Sequence, residues 1–274
     1  MIDLAPQNAY SLEIATPVLA AAGSLGYGVE VARQLGLSQR GAAHGLGAIV
    51  TRTTTARASR GHPALIETPA GLLSLGGEQN PGLRTVCERY APVWATWAVA
   101  VIVSVAASSA DELARMVANL DMVEGVRGIE LPLGPHGALT PAEATPLVGA
   151  VRGATPLPLI VKLPGHAPNL PELARAVVAA GADAVALIDG LPGAAPGPDG
   201  LRYGTLYGPA LRPLALRAVA AVAEAVAVPV IGSGGVSSLA DARAMLDAGA
   251  AALGLGTALL LDLRAAARIA AGLA

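Results

Sequence analysis

Short apolar runs rich in β-branched residues recur along the chain, and longer Ala/Leu-rich stretches with helical spacing separate them. The runs are Pro17–Ala21, Gly47–Thr51, Ala100–Val105, Gly128–Leu131, Leu159–Leu163, Ala184–Ile188, Val228–Ile231 and Ala252–Leu255. Predominant apolarity over so few residues marks strands buried on both faces of a parallel sheet. The helices are clearest late in the chain. Leu170 to Ala180 follows Asn169 as a cap and stops at Gly181; Pro213 to Ala225 carries a continuous apolar face; Ser238 to Ala248 has Asp241 in its first turn and stops at Gly249. Eight such alternations predict an α/β fold closed as a TIM (β/α)8 barrel, with a doubly wound open sheet as the alternative. A barrel typically needs about 250 residues, so the 274 residues are read as one domain, 1–274.

Two segments need separate treatment. Ala91 to Ala107 is nearly free of charge. It falls short of the roughly 20 residues of a membrane-spanning helix, and its Val/Ile content reads better as a buried strand. Leu191 to Gly200 (LPGAAPGPDG) is read as a long βα loop over the barrel mouth.

Composition then narrows the function. Hydrophobic residues make up 53% and charged residues 14%, enough for a large core. The net charge of −2 and a pI near 6.1 lack the basic footprint of a nucleic-acid binder. Neither nucleic acid nor a membrane is expected as a partner. Cys87 is the single cysteine, which excludes an internal disulfide and any metal or iron–sulfur site built on several cysteines of this chain. It is read as a buried structural thiol, and no metal site is expected. The stretch MIDLAPQNAY shows no basic region followed by an apolar run, so a cytoplasmic location is expected. Of the 18 Lys and Arg residues only Lys162 is a lysine. In so Arg-biased a chain, a lysine persists by chance or where a compact ammonium is needed rather than a planar fork.

Candidate chemistry begins with glycine. Gly232-Ser233-Gly234-Gly235 follows the seventh strand and leads into a helix; Gly254-Leu255-Gly256-Thr257 accompanies the eighth. Glycines let backbone N–H groups approach an anion, and a helix start adds a favourable dipole. Many barrels bind phosphate after strands seven and eight.

With these motifs in place the sequence resembles the class 1 dihydroorotate dehydrogenases, barrel flavoproteins that use FMN. Thr16-Pro17-Val18-Leu19-Ala20-Ala21-Ala22-Gly23 resembles their first-strand segment. Glu67 to Leu73, leading to Gln79-Asn80-Pro81-Gly82-Leu83, resembles the signature loop after strand two. Val161-Lys162-Leu163 resembles strand five, and Gly208-Pro209-Ala210-Leu211-Arg212-Pro213 the entry to helix seven. The resemblance implies that Ala22, Gly23, Arg52, Lys162, Gly208, Gly234, Gly235, Gly256 and Thr257 contact FMN. Lys162 would place an ammonium beside the flavin and stabilise the negative charge of its reduced form. Arg52 stands where the family usually has a second lysine. The resemblance also implies a small-molecule substrate in pyrimidine biosynthesis, a homodimer, and pairing with an iron–sulfur flavoprotein electron-transfer subunit.

The substrate side departs from the family. The family's base is a cysteine just after strand four, in a pattern like Asn-x-Ser-Cys-Pro-Asn; here the stretch is Glu130-Leu131-Pro132-Leu133-Gly134-Pro135-His136-Gly137. Ser74 stands for a substrate-binding Asn, and Asp189-Gly190 for Asn followed by Thr or Ser. Losing hydrogen-bonding partners penalises a polar substrate strongly, and a carboxylate opposes an anionic one. Removing a general base commonly costs on the order of 10²–10⁴ in rate. His136 is a candidate replacement base beside the reading of a surface histidine. His44, His62 and His166 are read as surface or loop residues, the last two near the mouth. Three functions stay open: a flavin oxidoreductase of this type acting on dihydroorotate or another small molecule, a non-catalytic or regulatory flavin-binding homologue, and a barrel for another phosphorylated metabolite.

Overall fold

The computed structural model describes residues 1–39, 44–61, 64–76, 79–137 and 139–273. The barrel strands, numbered in chain order, are β1 (Val18–Ala20), β2 (Ala48–Val50), β3 (Ala100–Ser104), β4 (Gly128–Pro132), β5 (Leu159–Lys162), β6 (Ala184–Leu187), β7 (Val230–Ser233) and β8 (Ala252–Leu255). Each pairs in parallel with its chain neighbours, and β8 closes on β1. All eight strands read from the apolar runs are present, so the open-sheet alternative falls. The seventh begins at Val230 rather than Val228. Pro229 has no N–H to contribute to a ladder, and only its carbonyl joins, accepting from Val185 at 3.1 Å.

Alternation along these strands divides the molecule into an inner and an outer core. Leu19, Ala48, Val50, Ile102, Ile160, Ala184, Ala186, Ile231 and Ala252 pack around the axis. Their strand neighbours, such as Val18, Val101, Val103, Ile129, Leu131, Val161 and Val185, pack outward against the helices. Ala110–Leu120, Pro141–Ala154 and Leu170–Ala179 follow β3, β4 and β5; Arg212–Ala223 and Leu239–Asp247 follow β6 and β7; Ala265–Leu273 ends the described chain. Their starts obey local rules. Ser109 accepts from the Glu112 N–H, Asn169 from Glu172 and Ser238 from Asp241, each at 3.2 Å. Asn169 is thus the cap that its position predicts, while Ser238, read as the first residue of its helix, is instead the cap and Asp241 completes a capping box with it.

The inner layer is narrow because so many of its residues are Ala. Its lower end is filled from outside by a hairpin, Ile2–Asp3 paired antiparallel with Glu13–Ile14. Leu4, Ala5, Leu12 and Ile14 from this hairpin are buried against the axis residues.

The upper end carries a second, antiparallel sheet of four strands in the order Leu191–Gly197, Gly200–Tyr207, Gly71–Ser74, Leu65–Thr68. Leu191–Gly200 is therefore a hairpin arm and not an irregular loop. Its prolines, Pro192 and Pro196, lie on the edge strand, where a missing N–H costs no ladder bond. The central pairing sets Ser74 against Thr205, Leu73 against Leu206 and Leu72 against Tyr207. Close approach beside it requires glycine. Gly208 has φ +116°, and a Cβ there would lie 2.7 Å from Gly71 Cα. The charge-poor segment from Ala91 divides into a short helix, Ala91–Trp94, and β3.

Leu12 is fully buried in the lower plug. Leu12→Ala is expected to lower unfolding free energy by about 2–5 kcal/mol in urea titrations. A loss under about 1 kcal/mol would show that the plug does not support the barrel.

Candidate functional site

A cavity of about 670 Å³ opens at the C-terminal ends of the strands, under the antiparallel sheet. Ala22 and Gly23 reach it from the turn after β1, Arg52 from the end of β2, Lys162 from the end of β5 and Asp189 from the end of β6. Ser74, Thr205 and Tyr207 line it from the covering sheet, and Gly208 from the turn that follows. Gly234 and Gly235 border it after β7, and Gly256 and Thr257 after β8. Eleven side chains or backbone positions singled out in the sequence thus meet in one place. His136 is the exception: Gly134 and Pro135 line the cavity and His136 does not. His166 lines it at the exposed rim.

The two glycine segments form one wall. The helix after β7 starts at Leu239, so Gly234 to Ser237 form a free-standing loop. Gly234 has φ +119°, and a Cβ there would meet Ala215 Cβ at 2.8 Å. The loop is fixed from behind. Asp241 accepts from the Ser237 N–H at 3.1 Å and the Ser238 N–H at 3.0 Å, and meets Arg212 Nη1 at 2.6 Å. Burial alone would raise the Asp241 carboxyl, but these donors hold it below its ordinary value. Among the described residues, no acceptor takes the N–H of Gly234, Gly235 or Thr257. A Cβ added to Gly256 would meet nothing within 4 Å. A bare, unsatisfied N–H wall beside a cavity is the arrangement an anion such as phosphate completes.

Lys162 lies at the floor. Its Nζ is 2.9 Å from Glu130 Oε1, with side chains only 12% and 3% exposed. Both residues alternate to the axis side, Lys162 two positions above Ile160 on β5 and Glu130 on β4 beside it. The geometry is that of an ion pair, and Oε1 takes no well-angled hydrogen bond. Glu130 had a readable signal, a carboxylate inside an otherwise apolar strand, but only the register reveals its partner. Leu133, just past β4, donates its N–H to the Lys162 carbonyl at 3.0 Å, tying the loop after β4 to the same residue.

The remaining candidates sit apart. His136 lies in a short 3₁₀ turn, Gly134–His136, with its Nε2 buried and without a hydrogen-bond partner among the described residues. Burial lowers its pKa below the ordinary 6.5. His44 accepts from the Leu46 N–H through Nδ1 at 2.9 Å, and burial lowers its pKa too. His62 lies outside the described residues. Cys87 is half-buried in a helical stretch against the outer core, and burial, then Glu88, pushes its thiol up. A further cavity, of about 660 Å³, lies at the lower end. Its polar groups already pair: Arg152 with Asp183 at 2.9 Å, and Asn8 with Asp183 at 3.0 Å.

Comparison with known proteins agrees with this architecture. The family model described as dihydroorotate dehydrogenase matches residues 5–274. A Desulforudis audaxviator protein named dihydroorotate dehydrogenase B (NAD(+)), catalytic subunit, is 38% identical over 278 aligned positions, covering 96% of this chain and 89% of the relative. A Geotalea uraniireducens protein of the same name is 38% identical with the same coverage. The crystal structure of an Eimeria tenella DHODH in complex with ferulenol superposes with a TM-score of 0.75 at 15% identity, over 94% of this chain and 80% of that one, which shows a shared fold.

Two outcomes test the local geometry. Gly234→Ala is expected to cost about 1–3 kcal/mol from its left-handed backbone. Gly153→Ala, in an open helical position, should be neutral or gain about 0.5–1 kcal/mol; equal urea midpoints for the two would contradict the strain. For His136, the unfolded chain takes up a proton before the folded one as pH falls. Its contribution is therefore complete above about pH 6.5 and is lost as pH falls through the folded-state pKa. Between about pH 7 and pH 5, the melting temperature of the native protein should fall further than that of His136→Gln.

Proposed function

The chain belongs to the dihydroorotate dehydrogenase family, and from that footing we propose that it is an FMN-dependent oxidoreductase acting on a CH–CH bond of a small molecule. The observation that carries this reading is the meeting of Lys162 and both glycine segments in one cavity. The residues present fit FMN. The cavity lies within the roughly 300–1,000 Å³ of cofactor sites, and the unsatisfied N–H groups suit its phosphate. Bound there, FMN would supply the hydride acceptor.

The chain's own groups then divide the work. Gly234, Gly235, Gly256 and Thr257 hold the phosphate through backbone N–H groups and the Thr257 hydroxyl. Lys162 offers positive charge to the electron-rich reduced ring, and Glu130 fixes the ammonium in place. Ala22, Gly23 and Gly208 let the backbone come close, and Arg52 adds a cation on the strand-two side. The sheet of Gly71–Ser74 and Gly200–Tyr207 keeps water from the reacting face. Ser74 and Asp189 face the substrate.

Proton removal is where this chain departs from the family pattern it resembles. The stretch 130–137, which stands for the cysteine-bearing loop, contains no cysteine, and its cavity-lining Gly134 and Pro135 have no ionisable side chain. His136 stays outside the lining, so it serves as base only by turning inward. Turnover of dihydroorotate is accordingly expected to be very low, and another substrate of the same reaction class is favoured. The relatives' name includes "catalytic subunit", and this chain's single cysteine gives it no cluster of its own. A partner subunit that carries electrons to NAD, around a homodimer of this chain, suits both facts. Among the described residues no helix is long and apolar enough to cross a membrane, in keeping with work in the cytoplasm.

Purified protein should be yellow, with one FMN per chain; colourless protein that cannot be reconstituted with FMN overturns the reading. Anaerobic dihydroorotate should leave the flavin oxidised, whereas rapid bleaching would restore dihydroorotate as the substrate. Lys162→Ala alone leaves Glu130 buried and unpaired, a change that costs about 3–5 kcal/mol. Lys162→Met with Glu130→Gln removes the charge without that penalty. FMN affinity in the pair variant should fall while its unfolding midpoint stays closer to native than that of Lys162→Ala.

A further inference from the structure

We propose that Asp189 selects the substrate: it admits a neutral or cationic molecule that presents N–H donors and turns away a carboxylate. The inference rests on the FMN reading above and adds the chemical class of the second ligand.

Asp189 lines the cavity just beyond β6, and its backbone is held on rigid elements. Its N–H donates to Leu163 O at 3.2 Å, and the preceding Ile188 N–H to Ser233 O at 2.9 Å. Gly190 follows with no room to shift, since a Cβ there would meet Thr205 Cγ2 at 2.4 Å. One carboxylate oxygen has a local structural use: Oδ1 accepts from the Gly190 N–H at 2.8 Å. The other, Oδ2, has no partner among the described residues.

The direction of Oδ2 is fixed by what it approaches. It lies 3.6 Å from where a side chain on Gly134 would begin. It therefore looks across the cavity at the loop after β4, whose lining residues are Pro132, Gly134 and Pro135. That wall has no side-chain donor, and two of its three residues lack an N–H. The intervening Leu133 N–H is spent on Lys162 O. Among the described residues no group satisfies Oδ2, so a ligand with N–H donors would.

Of the cations of the cavity, Lys162 is paired with Glu130, while Arg52 keeps its charge at the end of β2, with Nη1 3.4 Å from the neutral Gln79 amide oxygen. Once a phosphate takes up the glycine wall, a carboxylate beside Asp189 would meet a like charge in a half-buried site. Like-charge juxtaposition costs far more than a tenfold loss of affinity requires. His166, at the rim, is exposed and so screened.

The test uses the FMN-loaded full chain, native and Asp189→Asn, titrated with orotate and with orotamide, which replaces the carboxylate by a carboxamide. Binding is followed by flavin absorbance and by calorimetry. The native protein should bind orotamide at least about tenfold more tightly than orotate. Asp189→Asn keeps the acceptor for Gly190 and should tighten orotate at least tenfold; Asp189→Ala, which removes the charge without adding a donor, should tighten it too. Native protein that binds orotate as well as orotamide overturns the inference, as does orotate binding unchanged by both substitutions, including binding of neither probe. Protein that takes up no FMN overturns the functional reading and this inference together, whereas failure of the ligand arms alone leaves the FMN reading standing.

Discussion

Each residue on a barrel strand faces either the axis or the surrounding helices, and on β4 and β5 the axis side carries Glu130 and Lys162 at 2.9 Å. Beside Glu130 and below Lys162 the axis is lined by Ile160 and several alanines. Neither charge would be tolerable there alone, because a medium so poor in dipoles does not solvate an ion. Together they fix one another at the boundary between the packed interior and the cavity. The Lys162 carbonyl also receives the N–H of Leu133, so the loop after β4 takes its position from the same residue. The floor of the site, its positive charge and its substrate-side wall therefore share one anchor.

The parts of the molecule that the sequence disclosed are those governed by local rules. Eight apolar runs became eight strands because double-sided burial leaves a signature in most residues of a run, Glu130 and Lys162 excepted. Asn169 became a cap because a helix start needs an acceptor at that place. The glycine segments were readable for a similar reason, since few other residues could hold the backbone of Gly234. What escaped depends on pairing across distance. The segment LPGAAPGPDG has the composition of a loop, and only its edge position beside Gly200–Tyr207 makes its prolines acceptable in a strand. The Glu130–Lys162 contact likewise follows from register. His136 stands in the sequence as a candidate base beside the reading of a surface histidine, and the tight turn sets Gly134 and Pro135 rather than His136 in the lining.

The contrast between the two sides of the cavity has a physical basis. In the proposed reading phosphate would be held by backbone N–H groups, which survive substitution of neighbouring side chains so long as the glycine conformations persist. Substrate recognition would rely on side chains at the ends of β4 and β6 and on the covering sheet, where single replacements alter charge and hydrogen bonding directly. A barrel can thus keep its cofactor apparatus while its substrate wall is rebuilt.

The covering sheet joins residues far apart in the chain: Leu72–Ser74, inserted after β2, pair with Thr205–Tyr207, inserted after β6. Such contacts close very long loops, and their entropic cost is met only after nearer contacts have assembled. The roof of the cavity is consequently a late event in folding, formed once the intervening strands have brought its two halves within reach. A nascent or partly folded chain can possess several strands of its barrel and still lack an enclosed site, so enclosure reports on assembly of the strands that lie between the two halves of the roof.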